Sequence, residues 1–222
     1  MYIPITRPYL TDREVELVSE SLQSGWLVQG PRVEEFEEKI SAYTGSKYAI
    51  AVNSCTSGQM ILSRILGLQP GHEVVLPAFT WISTAHAVEF TGAKPVLADI
   101  SLDTFNIDPR EMNRQTGAAA RALYPVSLFG LTADMPKIME TAHQNNLDVV
   151  EDVACGLGSF LHGQHCGTFG GAGVLSFHPR KSITTGEGGV IITNDNRIYE
   201  MARSLREHGA TKSDYQRHTG NT

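Results

Sequence analysis

Between residues 12 and 24 the apolar positions Val15, Val18 and Leu22 fall three or four apart, the spacing that lines one face of an α-helix. Thr11 and Glu14 stand at the two ends of a capping box, in which each side chain takes the other's backbone N–H, and Gly25 supplies a stop. A second helix is expected from Pro31, a residue suited to the first helical turn, through Val33, Phe36 and Ile40 to Gly45. Both should be surface helices with one buried side. Residues 1–45 are thus expected to form a helical segment packed on a main domain of residues 46–222.

From residue 48 the period changes. Short apolar runs at 48–52, 73–76, 95–100, 122–128, 147–150, 174–177 and 188–193 alternate with helical or loop segments. The runs are nearly continuous in apolar residues, as in strands buried on both faces. They predict an α/β fold in three layers, a mostly parallel sheet with helices on either side. A last helix-like run covers 195–207. The polar stretch from there to Thr222 carries no closing strand or helix pattern, so the α/β domain is expected to be incomplete at its C-terminus. No internal repeat, low-complexity tract or interdomain linker is visible.

Composition narrows the function classes. With 222 residues, 41% of them hydrophobic, the chain can build one sizeable core. The net charge of -6 is spread along the length without a basic run, which leaves no electrostatic basis for a nucleic-acid partner or an anionic membrane patch. No stretch approaches the roughly 18 apolar residues of a membrane span, and the N-terminus lacks the core of a signal peptide. A soluble, cytoplasmic protein is expected. Cys55, Cys155 and Cys166 are odd in number and form no C-x-x-C pair, so they read as reduced thiols, with no metal site suggested.

In parallel sheets ligands bind beyond the carboxyl ends of the strands, and four of those ends hold unusual residues. The run at 147–150 delivers Glu151 and Asp152; an isolated acid so placed is ordinarily a cap for a nearby turn. The segment SFHPRK at 176–181 presents Lys181, followed by glycines at 186, 188 and 189. A phosphate-binding P-loop has its glycines before the lysine, so that reading is rejected. A Schiff-base lysine remains, against a plain surface lysine in a turn. The segment NSCTSG at 53–58 puts small hydroxyl residues at a helix N-terminus, a seat for phosphate or simply an N-cap. Trp81, after the run at 73–76, offers a flat wall for a planar ring, or a core or interface residue. Together the four supply what pyridoxal 5'-phosphate requires: a phosphate seat, a wall, a carboxylate for the ring nitrogen and an amine for the aldehyde.

These residues resemble the DegT/StrS family of sugar aminotransferases, a branch of the fold-type I pyridoxal-phosphate enzymes. The likeness runs from Gly25, Trp26, Gly30 and Pro31 through NSCTSG, PAFTW at 77–81, Asp99, Glu151, Asp152 and SFHPRK to GEGG at 186–189. The resemblance implies that Thr56 and Ser57 bind the cofactor phosphate with help from Ser176, that Trp81 stacks on the ring, that Asp152 pairs with its nitrogen and that Lys181 carries the cofactor. It implies an amino donor, commonly glutamate, a keto sugar on a nucleotide as acceptor, and a homodimer. Cys155 stands at a cofactor-contact position where the family usually has Gln or His. With no base or cation near it in sequence, it is expected to be a buried, inert thiol. The family's C-terminal small domain has no counterpart in this chain, and Asn221 lies in surroundings unlike the family's phosphate-reaching asparagine. Two alternatives stand beside the aminotransferase. One is a truncated, non-catalytic paralogue or a fragment of a longer protein; the other is a sugar dehydratase on the same scaffold, in which the lysine is typically replaced by His, and Lys181 opposes it.

Overall fold

The computed structural model describes residues 3, 4 and 6–210; the polar tail and Asn221 lie outside them. Helix α1 (Asp12–Ser24) begins in the capping box of Thr11 and Glu14 and ends at Gly25, whose left-handed backbone (φ 72°) suits glycine. Helix α2 (Pro31–Thr44) follows and ends in the same way at Gly45. The expectation of one buried side holds for α2, where Ile40 is buried and the Phe36 ring meets Phe177 edge-on at 5.1 Å. It fails for α1, none of whose residues is buried: Val15, Val18 and Leu22 are 64%, 60% and 63% exposed. Helical spacing reveals an apolar stripe, but not whether anything covers it.

The remaining elements alternate along the chain. They are β1 (Tyr48–Val52), α3 (Cys55–Ile65), β2 (Glu73–Pro77), α4 (Ser83–Glu89), β3 (Lys94–Ala98), α5 (Pro109–Gln115), β4 (Ala120–Leu123), α6 (Met135–Asn145) and β5 (Asp148–Asp152). A small hairpin, β6 (Phe160–Leu161) and β7 (Gln164–His165), precedes β8 (Ala172–Ser176), β9 (Gly189–Thr193) and α7 (Asn196–Arg206). Seven strands form one sheet in the order β1-β9-β8-β5-β4-β2-β3. Strands β8, β5, β4, β2 and β3 are parallel, whereas β9 runs antiparallel to both β8 and β1. The expected strand at 122–128 is shorter. Pro125 has no N–H to give a ladder, so beyond Leu123 the chain keeps only a bridge from Val126 to Asp152 before a 3-10 turn at Leu128–Gly130. The strand expected at 95–100 stops at Ala98.

The apolar runs divide by the two-residue period of a strand. Val74, Leu76, Val150, Val174 and Ile191 pack with Leu62, Ile65 and Val88 of α3 and α4, and with Ile198 and Ala202 of α7. Val75, Leu123 and Val149 face Met112, Met135 and Ile138 of α5 and α6, while Leu175, Val190 and Ile192 face Ile40 of α2. Helices therefore cover both faces, as the continuous apolar character predicts. At the β1 edge, the outward N–H of Ala51 donates to Glu37 (2.8 Å) and its carbonyl accepts from Arg206 (3.2 Å). Glu37 and Arg206 are themselves paired, and at Ala51 the edge is covered by side chains.

At the end of β5 the buried Glu151 accepts three backbone N–H groups, from Gly167 (2.7 Å), Phe169 (2.7 Å) and Gly170 (2.8 Å). Burial pushes its carboxyl up to about 7, against the pull of those donors. The folded chain thus holds this proton more tightly than the unfolded chain. The group's contribution to stability is full below about 4.5 and is lost as pH rises through about 7. Glu151→Gln sets an amide nitrogen against a backbone N–H and should cost about 1–3 kcal/mol. It should also flatten the fall in stability across that pH window. Urea melts of both proteins from acid to neutral pH check both effects; coincident midpoints throughout would mean that the cradle contributes nothing.

Candidate active site

The carboxyl ends of β1, β2, β5 and β8 meet around a cavity of about 530 Å³, lined by Ser54, Cys55, Thr56, Phe79, Thr80, Trp81, Asp152, Cys155, Ser176, Arg180 and Lys181 among others. Each side chain arrives by a local rule. The extended residue Ser54 caps α3, its hydroxyl accepting from the N–H of Ser57 (3.1 Å) while Ser57 Oγ accepts from the N–H of Ser54 (3.1 Å). That cap leaves the N–H groups of Cys55 and Thr56 without a partner among the described residues, at the positive end of the helix dipole. The seat is tight because Gly189 of β9 passes directly behind it. A Cβ there would lie 2.5 Å from Cys55 N and from the Ser54 carbonyl carbon.

Asp152, the last residue of β5, is only 4% exposed and fully engaged. Gln59 Nε2 (2.6 Å) and Thr84 Oγ1 (2.8 Å) donate to Oδ2, and the Ala154 N–H (3.1 Å) donates to Oδ1. Thr84 is in turn bonded to Thr80 at 3.0 Å. Gln59 and Thr84 were not singled out in the sequence. On amphipathic helices they read as polar positions, and only their complete burial beside an acid marks them.

Lys181 sits on the turn after β8, its backbone N–H donating to the His178 carbonyl (2.9 Å). Its Nζ donates to Cys155 Sγ at 3.2 Å. This corrects the expectation of a buried, inert Cys155: the residue is exposed and faces a cation. Lys181 lies 26 residues away along the chain, so proximity in sequence gave no hint of it. Arg180 lies over the Trp81 ring at 5.9 Å, and Trp81 is itself 69% exposed at the cavity rim. The Cys55 thiol is pushed well up by burial and then by the charge of Asp152, which keeps it protonated. Of the residues picked from sequence, the cavity gathers Thr56, Trp81, Asp152, Cys155, Ser176 and Lys181. Ser57, committed to the cap, lines a neighbouring depression with Asn53 and Thr185 instead.

A mostly parallel sheet with these groups at its strand ends defines the large domain of a fold-type I pyridoxal-phosphate transferase. More particularly, residues 8–222 place the chain in the DegT/DnrJ/EryC1/StrS aminotransferase family, to which it belongs. The spore coat polysaccharide biosynthesis protein SpsC of Bacillus subtilis (strain 168) is 36% identical over 220 residues, which cover 99% of this chain and 57% of that protein. DesI, solved in the presence of its TDP-sugar product, superposes with a TM-score of 0.86 at 33% identity, over 91% of this chain and 52% of that one. The putative sugar aminotransferase Spr1654 of Streptococcus pneumoniae, solved in PLP and PMP forms, gives a TM-score of 0.87 at 29% identity, over 91% and 57%. The chain thus spans little more than half the length of these relatives. Among the described residues no helix is long and apolar enough to cross a membrane.

Gly189→Ala should push the start of α3 away from β9 and cost about 1–3 kcal/mol, the range of an overpacked core. Chemical denaturation measures it. Full stability in the variant would show that strand and helix N-terminus have room to part.

Proposed function

We propose that the chain is the cofactor-holding part of a pyridoxal-phosphate-dependent aminotransferase that moves an amino group from an amino acid, glutamate in the simplest case, to the keto group of a nucleotide-linked sugar. One observation carries the reading. A lysine amine and a buried, triply hydrogen-bonded carboxylate open into one cavity beside an exposed indole and the capped N-terminus of α3. That donor set fits the cofactor. Lys181 would hold its aldehyde carbon, Asp152 its ring nitrogen and Trp81 its ring face, with Thr56 and Ser176 on the phosphate side and Ser57 holding the cap behind them. The family membership supports the reaction class. The TDP-sugar product of DesI and the polysaccharide role in the name of SpsC support a sugar acceptor. A homodimer is part of the proposal.

The cofactor supplies an aldehyde for an amine and a ring that accepts electrons. This chain's residues do the rest. Asp152, held in place by the donors Gln59, Thr84 and the Ala154 N–H, presents its carboxyl group where a ring nitrogen would sit. The Lys181 amine, when free, would be the group placed to move a proton at the reacting carbon. The first-turn N–H groups of α3 would bind phosphate oxygens.

Purified chain and Lys181→Ala, each loaded with pyridoxal phosphate, reduced with borohydride and mapped by peptide mass, test the assignment. The label is expected on Lys181 and nowhere in the variant; no covalent label in well-folded protein would refute it. In the complete enzyme, Asp152→Asn should lower kcat by about 100-fold or more while the fold survives. Unchanged turnover would remove Asp152 from the reaction.

A further inference from the structure

We infer that Cys155 is an oxidation site whose product is captured by Lys181, closing a sulfur–nitrogen bridge inside the cavity. The two groups already touch: Lys181 Nζ is 3.2 Å from Cys155 Sγ, and both line the same opening. Cys155 sits in the turn after β5 and is exposed, so a molecule the size of hydrogen peroxide reaches its sulfur. The other two thiols differ. Cys166 is buried and donates to the Gly156 carbonyl (3.0 Å), and burial pushes it up to about 12. Cys55 is packed against the Val174 carbonyl (3.7 Å) and is likewise held protonated by burial. Of the three thiols only Cys155 is exposed, which leaves it as the one open to peroxide.

The chemistry closes with one oxidant. Hydrogen peroxide gives an oxygen to the sulfur: its O–O bond breaks, water leaves, and Cys155 becomes a sulfenic acid, oxidised by the two electrons that reduce the peroxide. The unprotonated Lys181 amine then attacks the sulfur. An S–N bond forms, the S–O bond breaks, and the hydroxyl departs as water with one amine proton. A sulfenamide results, at a net loss of two hydrogens from the protein. An excess of thiol cleaves the S–N bond and returns both side chains, forming a disulfide of the reductant. The bridge would remove the amine that the proposed aminotransferase needs. That consequence rests on the reading of Lys181 as the cofactor lysine, whereas the bridge itself rests only on the contact.

The full 222-residue chain, free of cofactor, is treated with hydrogen peroxide, quenched, alkylated and analysed by intact mass and peptide mapping. The expected product is lighter by two hydrogens, joins the Cys155 and Lys181 peptides, and reverts with dithiothreitol. It should form in Cys55→Ser but be absent from Cys155→Ser and Lys181→Ala. Lys181→Arg, which keeps the charge, should also lack it, and in both lysine variants dimedone should trap the Cys155 sulfenic acid. The same mass loss in Lys181→Ala would mean a disulfide to Cys55, and would overturn the inference. So would an unreacted Cys155, or oxygen additions at Cys155 with Lys181 left free. Pyridoxal-phosphate labelling of the untreated chain is scored separately, so a failed bridge and a failed cofactor assignment are told apart.

Discussion

Two carboxylates side by side at the end of β5 constrain everything around them, because neither can be buried without donors. The pleat sends successive side chains to opposite faces of the sheet, so Glu151 and Asp152 draw on different partners. Glu151 gathers the N–H groups of Gly167, Phe169 and Gly170, and thereby fixes the loop that leads into β8. Asp152 gathers Gln59 from α3 and Thr84 from α4, and so ties two helices to the strand end. One acid shapes the scaffold on one face while its neighbour is presented to the cavity on the other. Removing a single donor would leave a buried carboxyl oxygen without a partner, which is why these bonds rank above the exposed ion pairs in importance.

The same strand ends explain how an open cavity coexists with a dense core. Strand β9 enters the sheet against its neighbours, so its first residue rather than its last lies at the ligand end. A glycine there lets the backbone pass within contact of the α3 N-terminus, and the helix is held against the sheet just where its unpaired N–H groups face the cavity. At the far edge, Glu37 and Arg206 take up the outward N–H and carbonyl of Ala51 and bind α2 and α7 to β1. Burial raises the Glu37 carboxyl and the Arg206 charge opposes that rise, so the pair is retained by mutual compensation in a half-dry place. At Ala51 the edge is thereby covered by side chains instead of by another strand.

Much of this was legible in the sequence. Continuous apolar runs announced strands covered on both faces, and the capping box at Thr11 and the stops at Gly25 and Gly45 placed two helices within a residue. Six of the seven residues picked for the site share one cavity. What stayed hidden depends on contacts between distant segments. Gln59 and Thr84 look like ordinary helix positions until Asp152 is placed between them. Ser57 looks like a ligand for phosphate until its hydroxyl is seen to close the cap. Pro125 stood inside the run at 122–128 and was the local sign that β4 stops at Leu123. The stripe on α1 was read correctly as a helix face and wrongly as a buried one, since periodicity carries no information about the partner.

Cys155 touches the site's lysine without being what positions its backbone. The placement of Lys181 does not rest on it. The turn after β8 is set by backbone bonds, with the Lys181 N–H on the His178 carbonyl and the Arg180 N–H on His178 Nδ1 (3.1 Å), and by Thr184 and Thr185 on the Phe177 carbonyl. A sulfur accepts only weakly from the lysine amine, far less directionally than the amide or imidazole that the family resemblance implies at this position. Because the turn already aims the side chain, the neighbour at 155 need not orient it, and the physical requirement there reduces to size and to not repelling a cation. A thiol meets both conditions. It also places an oxidisable sulfur in hydrogen-bond contact with the amine, which an amide or imidazole would not.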